Sequence, residues 1–280
     1  MQGNVTNVFE QQERDMINED FKKWATGYSG FDGGNPNGKI WLCGIEWGGA
    51  SSEGIEDIKK LFEGDVSKIP TGYTDHNVNL NDGQKNKFQY NYKFLKVMAT
   101  IKGKNFLENG STSTKIKEIL KKFNDEEKCF TEDSNYFKLN LLPFSFPNID
   151  ESNWSDDYKK LTSYSDKNEY EKESLNMRFK MFQKMVKDYK PLLIITNGTT
   201  QIDNFKEAFG YKDTNLATRE FEDDKTKKIE YFYDKNNTRL FVNIPFLGRP
   251  LNSNCLLIET GKIIKKLLEG KNINIDLEIN

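Results

Sequence analysis

The chain has 280 residues, of which 36% are hydrophobic and 30% charged, and its net charge is −2. Its mean hydropathy is −0.77, and no apolar run approaches the ~18 residues that a membrane-spanning helix needs, which argues against a membrane protein. Basic and acidic residues nearly balance at 41 against 43, so the total charge gives no simple argument for a basic nucleic-acid-binding face.

The three cysteines are Cys43, Cys129 and Cys255. They lie far apart and lack zinc-binding or CxxC spacing, so each is expected to be a small core residue in a reducing compartment. The N-terminus has neither a basic start nor an apolar core, which predicts that there is no signal peptide. A cytoplasmic location is therefore expected.

Hydrophobic periodicity divides the first part of the chain into helices, strands and irregular segments. The first part is predicted to contain a helix at 8–25, a glycine-rich loop at 27–38, a buried strand at 40–43, a helix at 54–63 and a polar excursion at 64–86. Next come two predicted helices at 87–101 and 114–123, a strand at 136–142 and a long acidic and aromatic loop at 145–168.

The second part of the chain continues the same alternation. Helices are predicted at 169–189, 200–209 and 253–269, and a strand is predicted at 191–198. Two or three shorter strands are predicted near 216–221, 228–233 and 239–244. Isoleucines alternate with polar residues in the tail 271–280, which is expected to add an edge strand. The pattern predicts an α/β fold, a three-layer sandwich with a central, mainly parallel sheet. A single domain over 1–280 with an insertion at about 64–130 is expected.

Several common chemistries have no motif in this chain. It contains no GxxxxGKS/T phosphate loop, no GxGxxG and no HExxH. The single histidine, His76, falls in a predicted surface loop and cannot supply a multi-histidine metal site. Neither a metal nor a cofactor is expected.

Glu46 follows the first buried strand directly, within Gly44-Ile45-Glu46-Trp47-Gly48. An acid at such a position costs solvation energy unless it has a task or a partner. Ligands of open α/β sheets bind beyond the carboxyl ends of the strands, which favours a functional role. The alternatives are that Glu46 caps the following helix or pairs with a lysine.

Three strand ends, at 44–48, 139–142 and 242–251, together resemble the uracil-DNA glycosylase superfamily. The first matches G-I-x-x-G, with Glu46 in the place of the family's water-activating Asp or Asn and Trp47 in the place of its proline. Asn140 occupies the place of an Asn that hydrogen-bonds the base. The late motif corresponds to 246–252, where the family histidine is missing and Arg249 is a candidate cationic substitute.

The resemblance implies a DNA glycosylase-like hydrolase that acts on a flipped base, with Glu46 activating water. Predicted base contacts are Asn140, Trp47 and Phe31, and predicted phosphate or DNA contacts are Gly48, Gly49, Arg249 and Asn252. Three structural alternatives stay open: Asn140 bonding loop backbone, Trp47 packing in the core, and Arg249 forming a salt bridge. The alternative function is a non-catalytic nucleotide-, nucleic-acid- or protein-binding module on the same fold.

Overall fold

The computed structural model describes residues 19–48, 89–107, 112–146, 154–248 and 250–276. The predicted helix at 54–63 and the predicted excursion at 64–86, which contains His76, lie outside this part of the chain. The first residues of the predicted helix 8–25 also lie outside it. Residues 19–25 are helical and are labelled α1.

A seven-stranded mixed sheet forms the centre of the described structure. Its strands are β1 (Phe31–Gly34), β2 (Ile40–Gly44), β4 (Tyr136–Asn140), β6 (Leu193–Asn197), β7 (Ala217–Glu220), β8 (Lys228–Tyr233) and β9 (Leu240–Ile244). Their spatial order is β1-β4-β2-β6-β9-β8-β7. The four central strands β4, β2, β6 and β9 are parallel, whereas β1, β8 and β7 add antiparallel edges. A separate two-stranded ribbon pairs β3 (Trp47–Gly48) with β5 (Ser145–Phe146).

Helices cover both faces of this sheet. They are α2 (Gln89–Ile101), α3 (Ser113–Glu127), α4 (Asp156–Thr162), α5 (Lys167–Tyr189), α6 (Ile202–Ala208) and α7 (Asn254–Glu269). The apolar faces of α2, α3 and α7 pack in one core, whereas those of α1, α4, α5 and α6 pack in a second core on the other side. The molecule is therefore an α/β protein with a helical layer on each face of the sheet.

The sequence pattern explains why these elements form. All five residues of β2, β6 and β9 are buried, as expected for parallel strands covered by helices on both faces. The hydroxyl of Ser253 caps α7 by accepting from the backbone N–H of Leu256, and the Asp166 carboxylate caps α5 in the same way. The predicted helices from 87 onwards and the four central strands are confirmed.

Three predictions of irregular or extended structure are wrong in detail. The predicted loop 27–38 contains β1, and the predicted loop 145–168 contains β5 and α4. The tail 271–280 was expected to add an edge strand; its described residues 271–276 contain turns and no strand, and 277–280 lie outside the described residues. Cys43 and Cys129 are buried as expected, whereas Cys255 is exposed.

The predicted insertion at about 64–130 includes residues that belong to the main body. Its described residues contain α2 and α3, and α2 packs closely against α7 in the first core. Within the described residues, no helix has the length and apolar character to cross a membrane.

Candidate functional site at the strand ends

The order of the parallel strands defines where a ligand would enter. Along the chain the parallel strands follow one another as β2, β4, β6 and β9, whereas across the sheet their order is β4, β2, β6 and β9. The described helices between β2 and β4 are α2 and α3, which pack on one face of the sheet, and the helix after β6 is α6, which packs on the other face. Connections that leave adjacent strands on opposite sides open a crevice beyond their carboxyl ends. The crevice of this sheet lies between β2 and β6.

Beyond the sheet edge, the chain segments that follow β2 and β4 stay paired. The backbone N–H of Leu142 donates to the carbonyl of Ile45, and the pairing continues into the β3–β5 ribbon. Glu46 lies at the start of this ribbon and turns toward the layer of α5. Its position is therefore set by the path of the chain after the strand.

A buried ion pair holds Glu46. Its Oε1 lies 3.4 Å from the Nζ of Lys167, the first residue of α5, and the side chains are 7% and 1% exposed. Lys167 also lies 3.7 Å from Glu171 and 4.3 Å from the ring centre of Phe146. The alternative in which Glu46 pairs with a lysine is the one that the structure contains.

Burial raises the pKa of Glu46 to about 7, while Lys167 opposes the shift and Glu171 adds to it. Glu46 Oε2 is buried and has no hydrogen-bond partner in the described part of the chain. An acid with such a pKa is partly ionised near neutral pH, which suits a general base. The ion pair with Lys167 competes with that role because it occupies the other oxygen.

Asn140 ends β4 on the opposite face of the sheet from these contacts. Its strand neighbour Lys138, two residues earlier and on the same face, contacts Tyr90 and Asn91 of α2. The contacts of Glu46 and Asn140 therefore lie on different sides of the sheet.

The amide of Asn140 has a defined orientation. Its Nδ2 donates to the carbonyl of Gly30 at 3.0 Å, which is the bond to loop backbone that the sequence left open. Its Oδ1 lies directly over Gly44, where an added Cβ would approach to 2.5 Å. Gly44 is therefore required for the position of Asn140.

Asn197 ends β6 on the same face and flanks Gly44 from the other side. Its Nδ2 donates to the carbonyl of Cys43 at 3.1 Å and to the hydroxyl of Tyr90. A flipped amide would place Oδ1 against the Cys43 carbonyl, so the neighbours fix the orientation. Asn197 is only 2% exposed, and its Oδ1 accepts no hydrogen bond within the described residues.

Tyr90 is held beside Asn197 by contacts of α2 with β4. Lys138 Nζ lies 5.0 Å from the centre of the Tyr90 ring and donates to Asn91 Oδ1 at 2.9 Å. Lys138 also forms an ion pair with Asp32 of β1. Burial raises the pKa of Tyr90 well above its usual range, so its hydroxyl stays protonated and can donate to a ligand.

Arg178 of α5 supports the same strand end from the other layer. It is fully buried and donates to the carbonyls of Ala25, Ser29 and Asn140. Burial lowers its pKa to about 10, which still leaves it charged at neutral pH. Arg178 thus fixes the backbone of Asn140 and of the turn that leads to Gly30.

The remaining predicted site residues have different surroundings. Phe31 is 1% exposed and packs in the aromatic core against Phe137 and Phe182, so its ring offers no open face to a base. Asn252 is exposed and lies two residues before the start of α7. The backbone of Trp47 and Gly48 forms β3. The Trp47 side chain, Gly49 and Arg249 lie outside the described residues.

Sequence reasoning missed Asn197 and Tyr90. Asn197 carries the same signal that singled out Asn140, an amide at the end of an apolar strand, and could have been found by it. Tyr90 has no such signal, since its role depends on how α2 docks on the sheet. Within the described residues, no cluster of His, Cys, Asp and Glu is arranged to hold a metal ion.

The chain matches no protein-family model, and a search of curated proteins finds no significant match.

Proposed function

We propose that this chain binds a nucleobase-containing ligand at the carboxyl ends of β2, β4 and β6. The observation that carries the proposal is Asn197 Oδ1, a buried acceptor with no donor in the described residues. Leaving such a group unpaired costs about 1–3 kcal/mol. A donor on a bound ligand would recover this free energy.

The surrounding groups suit the edge of a base. Tyr90 offers a hydroxyl donor beside the Asn197 acceptor, and Asn140 adds an amide across Gly44. Base edges carry donors and acceptors side by side, and proteins that hold an unstacked base read them with such groups. The crevice between β2 and β6 is also where open α/β sheets bind ligands.

Calorimetric titration with the four ribonucleosides, their 5′-monophosphates and short single-stranded DNA tests the proposal. At least one of these should bind, and N197A should weaken it by tenfold or more. N204A is the matched control, because Asn204 lies on α6 and its side chain bonds to Gln201 among the described residues. Absence of binding, or equal binding by wild type and N197A, would reject the proposal.

Glycosylase-type hydrolysis is the second candidate function. Three features favour it: the position of Glu46 after the first parallel strand, its pKa of about 7 and its unpaired Oε2 among the described residues. A carboxylate there would orient water and stabilise positive charge on the sugar. The ion pair with Lys167 would have to open for this role.

Oligonucleotides that carry uracil or a mismatch test this second candidate. Hydrolysis would leave an abasic site, and E46Q should lose this product while it keeps ligand affinity. If wild-type protein yields no abasic product at any concentration, the hydrolase is rejected and the binding module remains.

A further inference from the structure

Two lysines of α2 reach toward the segment between β9 and α7. Lys93 Nζ donates to the carbonyl of Gly248 at 2.5 Å, and Lys96 Nζ donates to Asn254 Oδ1 at 2.7 Å. Lys96 is only 8% exposed, and Lys93 is half-buried. Both ammonium groups therefore lie where this segment folds against α2.

Neither lysine has an acidic partner in the part of the chain that the structure describes. No carboxylate of the described residues forms an ion pair with Lys93 or Lys96, whereas the buried or half-buried Lys102, Lys138 and Lys167 each have one. Burial, together with the nearby charge of Lys93, lowers the pKa of Lys96 to about 8. Two neighbouring cations that lose water without gaining an anion are unfavourable.

The lysines follow Tyr90 along an inclined row of the α2 surface, which turns by about 60° around the helix axis at each step of three residues. The spacing of three residues from Tyr90 to Lys93 and again to Lys96 places the side chains in a row, with a rise of roughly 4.5 Å per step. Tyr90 contacts Asn197, so the row leads from the proposed base site to the 246–254 segment. This segment contains Asn252, which the sequence predicts as a phosphate contact.

The 246–254 segment also presents groups that suit an anion. The start of α7, a helix of 16 residues, lies at Asn254 beside Lys96. The N-terminus of a helix favours negative charge. Phe246 is exposed in the same segment and is the only large hydrophobic side chain of the described residues with that exposure.

We propose that Lys93 and Lys96 form the subsite that receives the phosphate of the ligand whose base lies at Asn197 and Tyr90. This inference rests on the proposed function and makes it more specific, since it names a phosphorylated ligand. The phosphate can belong to a free nucleotide or to a nucleic-acid strand, because both present the same anion.

Matched ligands measure the contribution of the phosphate. Each 5′-monophosphate that binds should bind at least tenfold more tightly than its nucleoside, and this gain should fall as salt rises. K93Q/K96Q should abolish the gain and leave the affinity for the nucleoside unchanged. A dinucleotide with an internal phosphodiester distinguishes a strand from a free nucleotide: it should bind more tightly than the monophosphate only if the partner is a strand.

K121Q/K122Q is the matched control. It makes the same change in net charge on α3, where the two lysines pair with Asp125 and Glu126. This control should keep the full gain from the phosphate. Because Lys96 is buried, K93Q alone is the second variant, and it should lose part of the gain with no change in thermal stability.

The outcomes separate the two proposals. If no nucleoside or nucleotide binds to wild-type protein, the proposed function fails. If nucleosides bind but the phosphate adds nothing, or if K93Q/K96Q keeps the whole gain, the phosphate subsite is rejected and the base site stands. Titration with inorganic phosphate tests the lysines alone, and it should compete with the monophosphate but not with the nucleoside.

Discussion

Glu46 lies two residues beyond β2 and Asn197 is the last residue of the neighbouring parallel strand β6, yet their surroundings are opposite in kind. Glu46 meets a buried lysine of α5 and lies in an ion pair. Asn197 meets a backbone carbonyl and a tyrosine hydroxyl, which together use its amide hydrogens and leave its oxygen without a donor in the described residues. The carboxylate beyond β2 is paired with a lysine, whereas the amide oxygen at the end of β6 can still accept a hydrogen bond.

The path of the chain after each strand explains this difference. After β2 the chain enters the β3–β5 ribbon, which directs Glu46 toward α5. Asn197 is the last residue of β6, so its side chain still follows the alternation of the strand toward α2. The direction of a side chain near a strand end is therefore easier to predict when the residue lies within the strand than when it lies two residues beyond it.

K167M gives the largest expected effect. Removal of the lysine leaves Glu46 without its partner, and breaking a buried ion pair costs about 3 kcal/mol or more of the free energy of unfolding. Urea unfolding at pH 8 measures this loss. The control K184M removes an exposed lysine of the same helix that pairs with Asp188, and it should change stability by less than about 0.5 kcal/mol. Equal losses in the free energy of unfolding of K167M and K184M would show that the buried ion pair contributes no more stability than the exposed one.

E46Q is expected to change how stability depends on pH. The pKa of Glu46 is higher in the folded state than in the unfolded chain, so the folded state holds the proton more tightly. Wild-type stability should therefore fall as pH rises from about 4.5 through about 7, by on the order of 1–3 kcal/mol from this group. E46Q lacks this fall. Parallel profiles for the two proteins between pH 5 and pH 8 would contradict the assigned pKa.

G44A is expected to have a small effect on stability and a larger one on binding. Its Cβ would meet Asn140 Oδ1, the end of a side chain that can move away, at 2.5 Å. The expected loss is about 1 kcal/mol of stability and tenfold or more in ligand affinity, because the amide leaves its bond to Gly30. E46Q serves as the binding control, since it changes only the other strand end. Unchanged affinity in G44A would remove Asn140 from the site.

The main elements of the fold could be predicted from the sequence because their signals are local. The apolar runs of β2, β4, β6 and β9 and the helical periodicity of α2 and α5 placed these elements within a few residues of their positions. β1 was missed because it is an irregular edge strand: Gly33 and Gly34 adopt positive φ, and the pairing with β4 shifts after Phe31. Glycines at such angles look like a loop in sequence.

The candidate site could be predicted only in part, for a physical reason. An amide at a strand end is visible in the sequence, as Asn140 shows. The partners of these strand-end residues come from distant segments: Gly30 before β1 accepts from the Asn140 amide, Arg178 of α5 donates to the Asn140 backbone carbonyl, and Tyr90 of α2 accepts from the Asn197 amide. The ion pair of Glu46 with Lys167 spans 121 residues of chain, so no local pattern reveals it.

A crystal structure of the protein with the tightest-binding nucleotide tests the central claim most directly. The account predicts density for the base beside Asn197 and Tyr90, with a ligand donor within hydrogen-bond distance of Asn197 Oδ1 and the phosphate at Lys93. Density for the base beside Glu46 and Lys167, or an ordered water that alone satisfies Asn197 Oδ1 while the nucleotide binds elsewhere, would contradict it.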